Sequence, residues 1–221
     1  MNPAEQHIEV KRTARYFTLG ELDEKTKSIW ILIHGHKQLA KDFILNFSEL
    51  AEKNNFLIAP EGLMRLYIKG DYGDVGASWM TKEDRESDIN DYVNYLDELF
   101  EKEIAPHLNQ NIKVNTLGFS QGAATLSRWL ALGKTPDLSL GLIKAVFWCG
   151  SVAHDLDFSK SENFKDIEIH QVFGSNDPYF PKKFLEKQVS ILKQANLNPK
   201  TFIFEGGHEV SVKLMREAGV L

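Results

Sequence analysis

Cysteine is nearly absent: Cys149 is the one thiol in 221 residues, so no intrachain disulfide can form and a reducing compartment suits the chain. Its neighbours Val146, Phe147 and Trp148 mark it as a buried thiol at a strand end, with a structural role. No apolar run approaches the ~20 residues of a spanning helix. The stretch Met1 to Gln6 also lacks the basic-then-apolar order of a secretory leader. The expectation is a cytoplasmic protein without membrane insertion. Positive charge is in deficit, at a formal net charge of −5, which disfavours nucleic acid as the partner because phosphate contacts need clustered lysine and arginine. Repeats, low-complexity tracts and Pro/Gly/Ser-rich linkers are missing as well, so residues 1–221 read as one domain. With 43% hydrophobic and 26% charged residues, the chain has enough apolar surface for a core and is not disordered.

What is present is an alternation of strand-like and helix-like segments, the pattern of a mainly parallel sheet flanked by helices on both faces, an α/β fold. Strands are expected over His7 to Leu19, Ser28 to Ile33, Phe56 to Ala59, Ile112 to Leu117, Ile143 to Trp148, Ile167 to Phe173 and Thr201 to Phe204. Helices are expected over Lys41 to Asn54, Arg85 to Ile104, Ala123 to Leu132, Phe184 to Ala195 and Val210 to Ala218. Residues 63–83 contain glycines and lack a sustained period, so they read as a long surface loop that would serve as a lid over an active site.

Between the strand ending at Leu117 and the helix beginning at Ala123 stands Gly118-Phe119-Ser120-Gln121-Gly122. A serine on so sharp a turn is held with its hydroxyl exposed above the sheet, which makes Ser120 a candidate nucleophile. A hydroxyl needs a base to take its proton and return it to the leaving group. His208 follows the last strand and a Gly206-Gly207 turn, at the sheet edge where parallel strands converge. An acid must then hold the imidazole in its reactive tautomer. Asp177, in the turn after the strand ending at Phe173, fits; Asp155 and Asp157, after the previous strand, compete for the role. The pair His34 and His36 has no carboxylate or thiolate at ligand spacing, so neither metal nor cofactor is expected.

These residues, with Ile33-His34-Gly35 after the second strand, Ala123-Ala124 after the elbow and Asn176-Asp177-Pro178, resemble the carboxylesterase/phospholipase family of α/β-hydrolases, which includes the acyl-protein thioesterases. The landmarks span most of the chain in the family's order. The resemblance implies a triad of Ser120, Asp177 and His208, and oxyanion donors at the backbone amides of Gln121 and His36. It also implies that Trp79 lies beside the substrate, and that the substrate is a small-molecule ester or thioester cleaved through an acyl-enzyme. A departure stands at His36-Lys37, where the family usually has an apolar residue and a second glycine. The other readings are a hydrolase scaffold that only binds, and a lysophospholipase or peptidase-like acyl hydrolase.

Overall fold

The computed structural model describes residues 3–110, 112–134, 141–161, 164 and 167–221. Its central sheet has seven strands in the order β1-β3-β2-β6-β7-β8-β9. They are β1 Tyr16–Leu19, β2 Ser28–Ile33, β3 Asn55–Pro60, β6 Lys113–Phe119, β7 Leu142–Trp148, β8 Glu168–Gly174 and β9 Lys200–Phe204. Only β1 runs antiparallel, against β3; every other neighbour is parallel. Parallel neighbours need crossovers, and these are the helices α1 Ala40–Phe43, α2 Ser48–Ala51, α3 Arg85–Glu103, α4 Gln121–Leu132 and α5 Lys182–Gln194, with α6 Val212–Glu217 closing the chain. Among the described residues no helix is long and apolar enough to cross a membrane.

The alternation within β2 decides the layering. Ile29, Ile31 and Ile33 face a core completed by Leu96 and Phe100 of α3 and by Leu126 and Trp129 of α4. Trp30 and Leu32 face the opposite core, with Phe43 and Phe47 before α2 and Met215 of α6. Such strands read as continuous apolar runs because both faces are covered.

Three expectations need correction. Only Tyr16–Leu19 of the stretch His7 to Leu19 is strand, because β1 has one partner and its register with β3 ends at Tyr16↔Pro60. Lys41 to Asn54 is not one helix: α1 passes into a 3-10 turn, Ile44–Phe47, before α2. The apolar stripe is still buried, through Phe43, Ile44, Phe47 and Leu50. Residues 63–83 are not a structureless loop but carry a hairpin, β4 Met64–Tyr67 against β5 Val75–Ser78. Gly70 and Gly73, both at positive φ, turn the chain between them. The hairpin's base is tied to its surroundings, with the Ala77 N–H donating to Gln38 O at 3.1 Å and Arg65 paired with the buried Glu61 at 2.9 Å.

Strand order reverses between β2 and β6, whose ends lie side by side in the register Ile33↔Gly118. In open parallel sheets ligands bind in the crevice beyond such a reversal. His34 and Ser120 begin the two loops that flank it.

Candidate active site

Ser120 stands between β6 and α4 at φ 55° and ψ −118°, a backbone conformation that costs a non-glycine residue on the order of 1–3 kcal/mol. The turn is held because the Ser120 N–H donates to Trp148 O of β7 at 2.9 Å and Ser120 O accepts from the Ala123 N–H at 3.0 Å. Gly122 is required here: a Cβ on it would stand 2.2 Å from Ile33 O. The absent side chain therefore lets α4 seat directly on the end of β2.

His208 and Asp177 come from the loops after β9 and β8. These loops are knit by the Ser175 N–H donating to Phe204 O and the Asn176 N–H to Gly206 O, both at 2.9 Å. His208 Nδ1 lies 2.7 Å from Asp177 Oδ2, with the Asp177 side chain fully buried. Asp177 Oδ1 accepts from the Tyr179 N–H at 2.9 Å. Three rings enclose the imidazole: Phe119 and Tyr179, each 4.8 Å from it between centroids, and Phe180 at 5.9 Å. Phe119 immediately precedes Ser120, so its ring sets the imidazole beside the nucleophile turn. Among the described residues Ser120 Oγ has no hydrogen-bond partner, which leaves it to turn toward the imidazole; such bonds often tighten only when substrate is bound.

The competing acids are engaged elsewhere. Asp155 receives the buried Arg128 guanidinium at 2.8 Å and Arg85 at 2.6 Å. Asp157 accepts from the Ser159 N–H and so caps the short turn Phe158–Lys160. Neither touches His208.

Two backbone amides beside the Ser120 turn have no acceptor among the described residues. Gln121 opens α4, so its N–H has no partner within the helix. In the loop after β2 the Gly35 N–H donates to Gln38 Oε1 at 2.8 Å and the Lys37 N–H to Ala77 O at 2.8 Å. Their neighbour His36 is the amide left over. The loop runs close to the nucleophile, since a Cβ on Gly35 would meet Ser120 Cβ at 3.0 Å.

Lys37 lies at φ 64°. It adopts the left-handed conformation that a glycine would take at no steric cost, so the sequence departure changes the side chain and not the course of the loop. Lys37→Gly is expected to stabilise the protein by about 1 kcal/mol with unchanged turnover, read from urea midpoints and initial rates.

Trp79 is 1% exposed, and its indole N–H donates to His34 O at 2.9 Å. It lies buried against the start of the loop after β2. His34 beneath it is buried, which holds its pKa down at about 4. Its Nε2 accepts from the Gly62 N–H at 3.0 Å, and its Nδ1 donates to Gly35 O at 2.7 Å. Burial, then the Lys37 charge, also lowers His36.

Ser78, at the end of β5, also joins this site, with no local signal to announce it. Its Oγ lies 3.2 Å from His36 Nδ1 and 3.2 Å from Gln121 Nε2, and Gln121 Oε1 accepts from the Trp79 N–H at 3.2 Å. The two residues bearing the free amides are thus cross-linked through the hairpin. A serine inside an apparent loop carries no local signal of such a task.

The family model for Phospholipase/Carboxylesterase matches residues 16–219. The chain belongs to this family. It is therefore a hydrolase of the carboxylesterase/phospholipase type. No curated relative matches the chain significantly by sequence. Among solved structures, the fold is similar to a carboxylesterase from Mesorhizobium loti, at TM-score 0.68 and 16% identity over 94% of this chain and 91% of that one. The Bacillus cereus carboxylesterase gives 0.65 and 16% over 93% and 91%, and Zea mays acyl-protein thioesterase 2 gives 0.64 and 20% over 93% and 96%. At such identities these neighbours speak for the family's fold alone.

Proposed function

We propose that the protein is a serine carboxylesterase that cleaves small carboxylic esters, and by the same chemistry thioesters, through an acyl-enzyme on Ser120. One arrangement carries the reading. The Asp177–His208 pair is packed against Phe119, beside a strained serine that lies between two uncommitted amides.

In this scheme His208 takes the Ser120 proton as Oγ attacks the acyl carbon, and the Gln121 and His36 amides bind the oxyanion. Each such donor is worth about 3 kcal/mol in the transition state. His208 then protonates the leaving alcohol or thiol, and in the second half it deprotonates the water that releases the acid. Asp177 holds the imidazole and balances its transient positive charge. The exposed His36 and Lys37 make the rim polar, which favours short or polar acyl groups over long apolar ones. The lid role narrows to the turn around Gly70 and Gly73, because the hairpin's base is bonded in place. One unpaired, buried cysteine agrees with a cytoplasmic setting.

A fluorophosphonate is expected to add once, on the peptide that contains Ser120, with a burst of alcohol from a short-chain aryl ester. A folded protein that takes up no label would sink the proposal and favour a scaffold that only binds.

A further inference from the structure

Cys149 takes no part in the chemistry above, yet it sits where the three catalytic loops meet. It follows β7, and its N–H donates to Val172 O of β8 at 2.8 Å. The preceding Trp148 accepts the Ser120 N–H through its carbonyl, and its indole donates to Glu209 O at 2.7 Å. The backbone of Cys149 is left-handed, at φ 43°, a costly conformation for any residue but glycine. That turn aims the side chain beneath the loop that carries His208. The thiol is fully buried, with Sγ 3.9 Å from Gly207 O and 3.8 Å from Glu209 O. Sγ, a carboxylate oxygen of Asp177 and a ring nitrogen of His208 all lie within 4.8 Å of one another. Burial, with the Asp177 charge adding to it, pushes the thiol up to about 12. It is thus an S–H donor and no nucleophile.

We infer that Cys149 is a positioning residue whose S–H donates to the Gly207 and Glu209 carbonyls and whose sulfur fills the space beneath the Asp177–His208 pair, holding the loop that carries His208 in register with the carboxylate. The inference rests on the Ser120, His208 and Asp177 reading of the site. A carboxylate offers about four acceptor positions. The Tyr179 N–H and His208 occupy one on each oxygen of Asp177, so the carboxylate keeps its place only while the His208 loop keeps its own. A thiol is weak but large enough to exclude water and stop the carboxylate from tilting.

Cys149→Ala and Cys149→Ser in the full chain test this. The alanine variant should lose about tenfold in kcat at unchanged KM, as misplacement of a reacting pair does. It should also shift the downfield proton resonance of His208 Nδ1–H. The serine variant, which restores a donor, should keep both within about twofold of the starting protein. Wild-type kcat and resonance in Cys149→Ala, or a serine variant as impaired as the alanine one, overturns the inference. If Cys149→Ala does not fold, Cys149→Gly replaces it, since glycine is at ease at this φ and still lacks the donor. If the protein proves to have no esterase activity, the resonance still decides: a shift in the variant without a donor supports the positioning role, and no shift ends it.

Discussion

Ser120→Ala is expected to cut kcat on the order of 10^6-fold, roughly 8 kcal/mol of transition-state stabilisation, with KM little changed. The loss is that large because no other hydroxyl shares the position. Gln121 and Gly122 follow as helix, and Ser78 Oγ is held by Met80 O, Gln121 and His36. Stability should change by no more than about 1 kcal/mol, because Ser120 Oγ has no bond to lose among the described residues and alanine meets the same backbone strain. A melting curve beside the rate measurement separates the two effects. Some activity should survive, because the proposed oxyanion amides of Gln121 and His36 are left in place to bind an oxyanion formed by water attack. Residual turnover within a hundredfold of the starting protein would move the nucleophile elsewhere.

Asp177→Asn should lower kcat by about 10^4-fold with the fold intact. The reason lies in the two oxygens. Oδ1 accepts from the Tyr179 N–H and Oδ2 faces His208 Nδ1. In the asparagine variant the amide oxygen stays on Tyr179, and the NH2 group must point at His208. Nδ1 then becomes the acceptor, the ring proton moves to Nε2, and no lone pair is left for the Ser120 proton. Asp155→Asn should behave in the opposite way, with kcat within about twofold of the starting protein but with several kcal/mol of stability lost. It removes the charge partner of an Arg128 that is only 3% exposed. A Ser120→Ala, Asp177→Asn double variant should be no worse than Ser120→Ala alone, because the base has nothing to activate once the hydroxyl is gone. Full additivity would mean that the two residues do not work as one unit.

The residues of the site were easier to read than its surroundings. Ser120, Asp177 and His208 each follow a strand at a turn marked by glycine or proline, and those marks are local. The choice among Asp177, Asp155 and Asp157 was not local. All three carboxylates follow parallel strands, and only the pairing of β8 with β9 brings one of them to His208 while Arg128 and Arg85 claim Asp155. The burial of Trp79 was not local either, because a tryptophan between glycines and charges reads the same whether it lines a cleft or lies under one. Its contacts with His34 and Tyr92, at 5.1 and 6.1 Å between ring centroids, come from distant segments.

A mainly parallel α/β sheet with a serine elbow was legible in the amino acids alone, because apolar periodicity and the demands of a sharp turn act over a few neighbouring residues. It took the three-dimensional arrangement to bring Asp177 and not Asp155 or Asp157 against His208, to give Lys37 a glycine's backbone and to lay Cys149 beside the Asp177–His208 pair. Each of these depends on which strands cross and in what register, a property that no short stretch of chain contains.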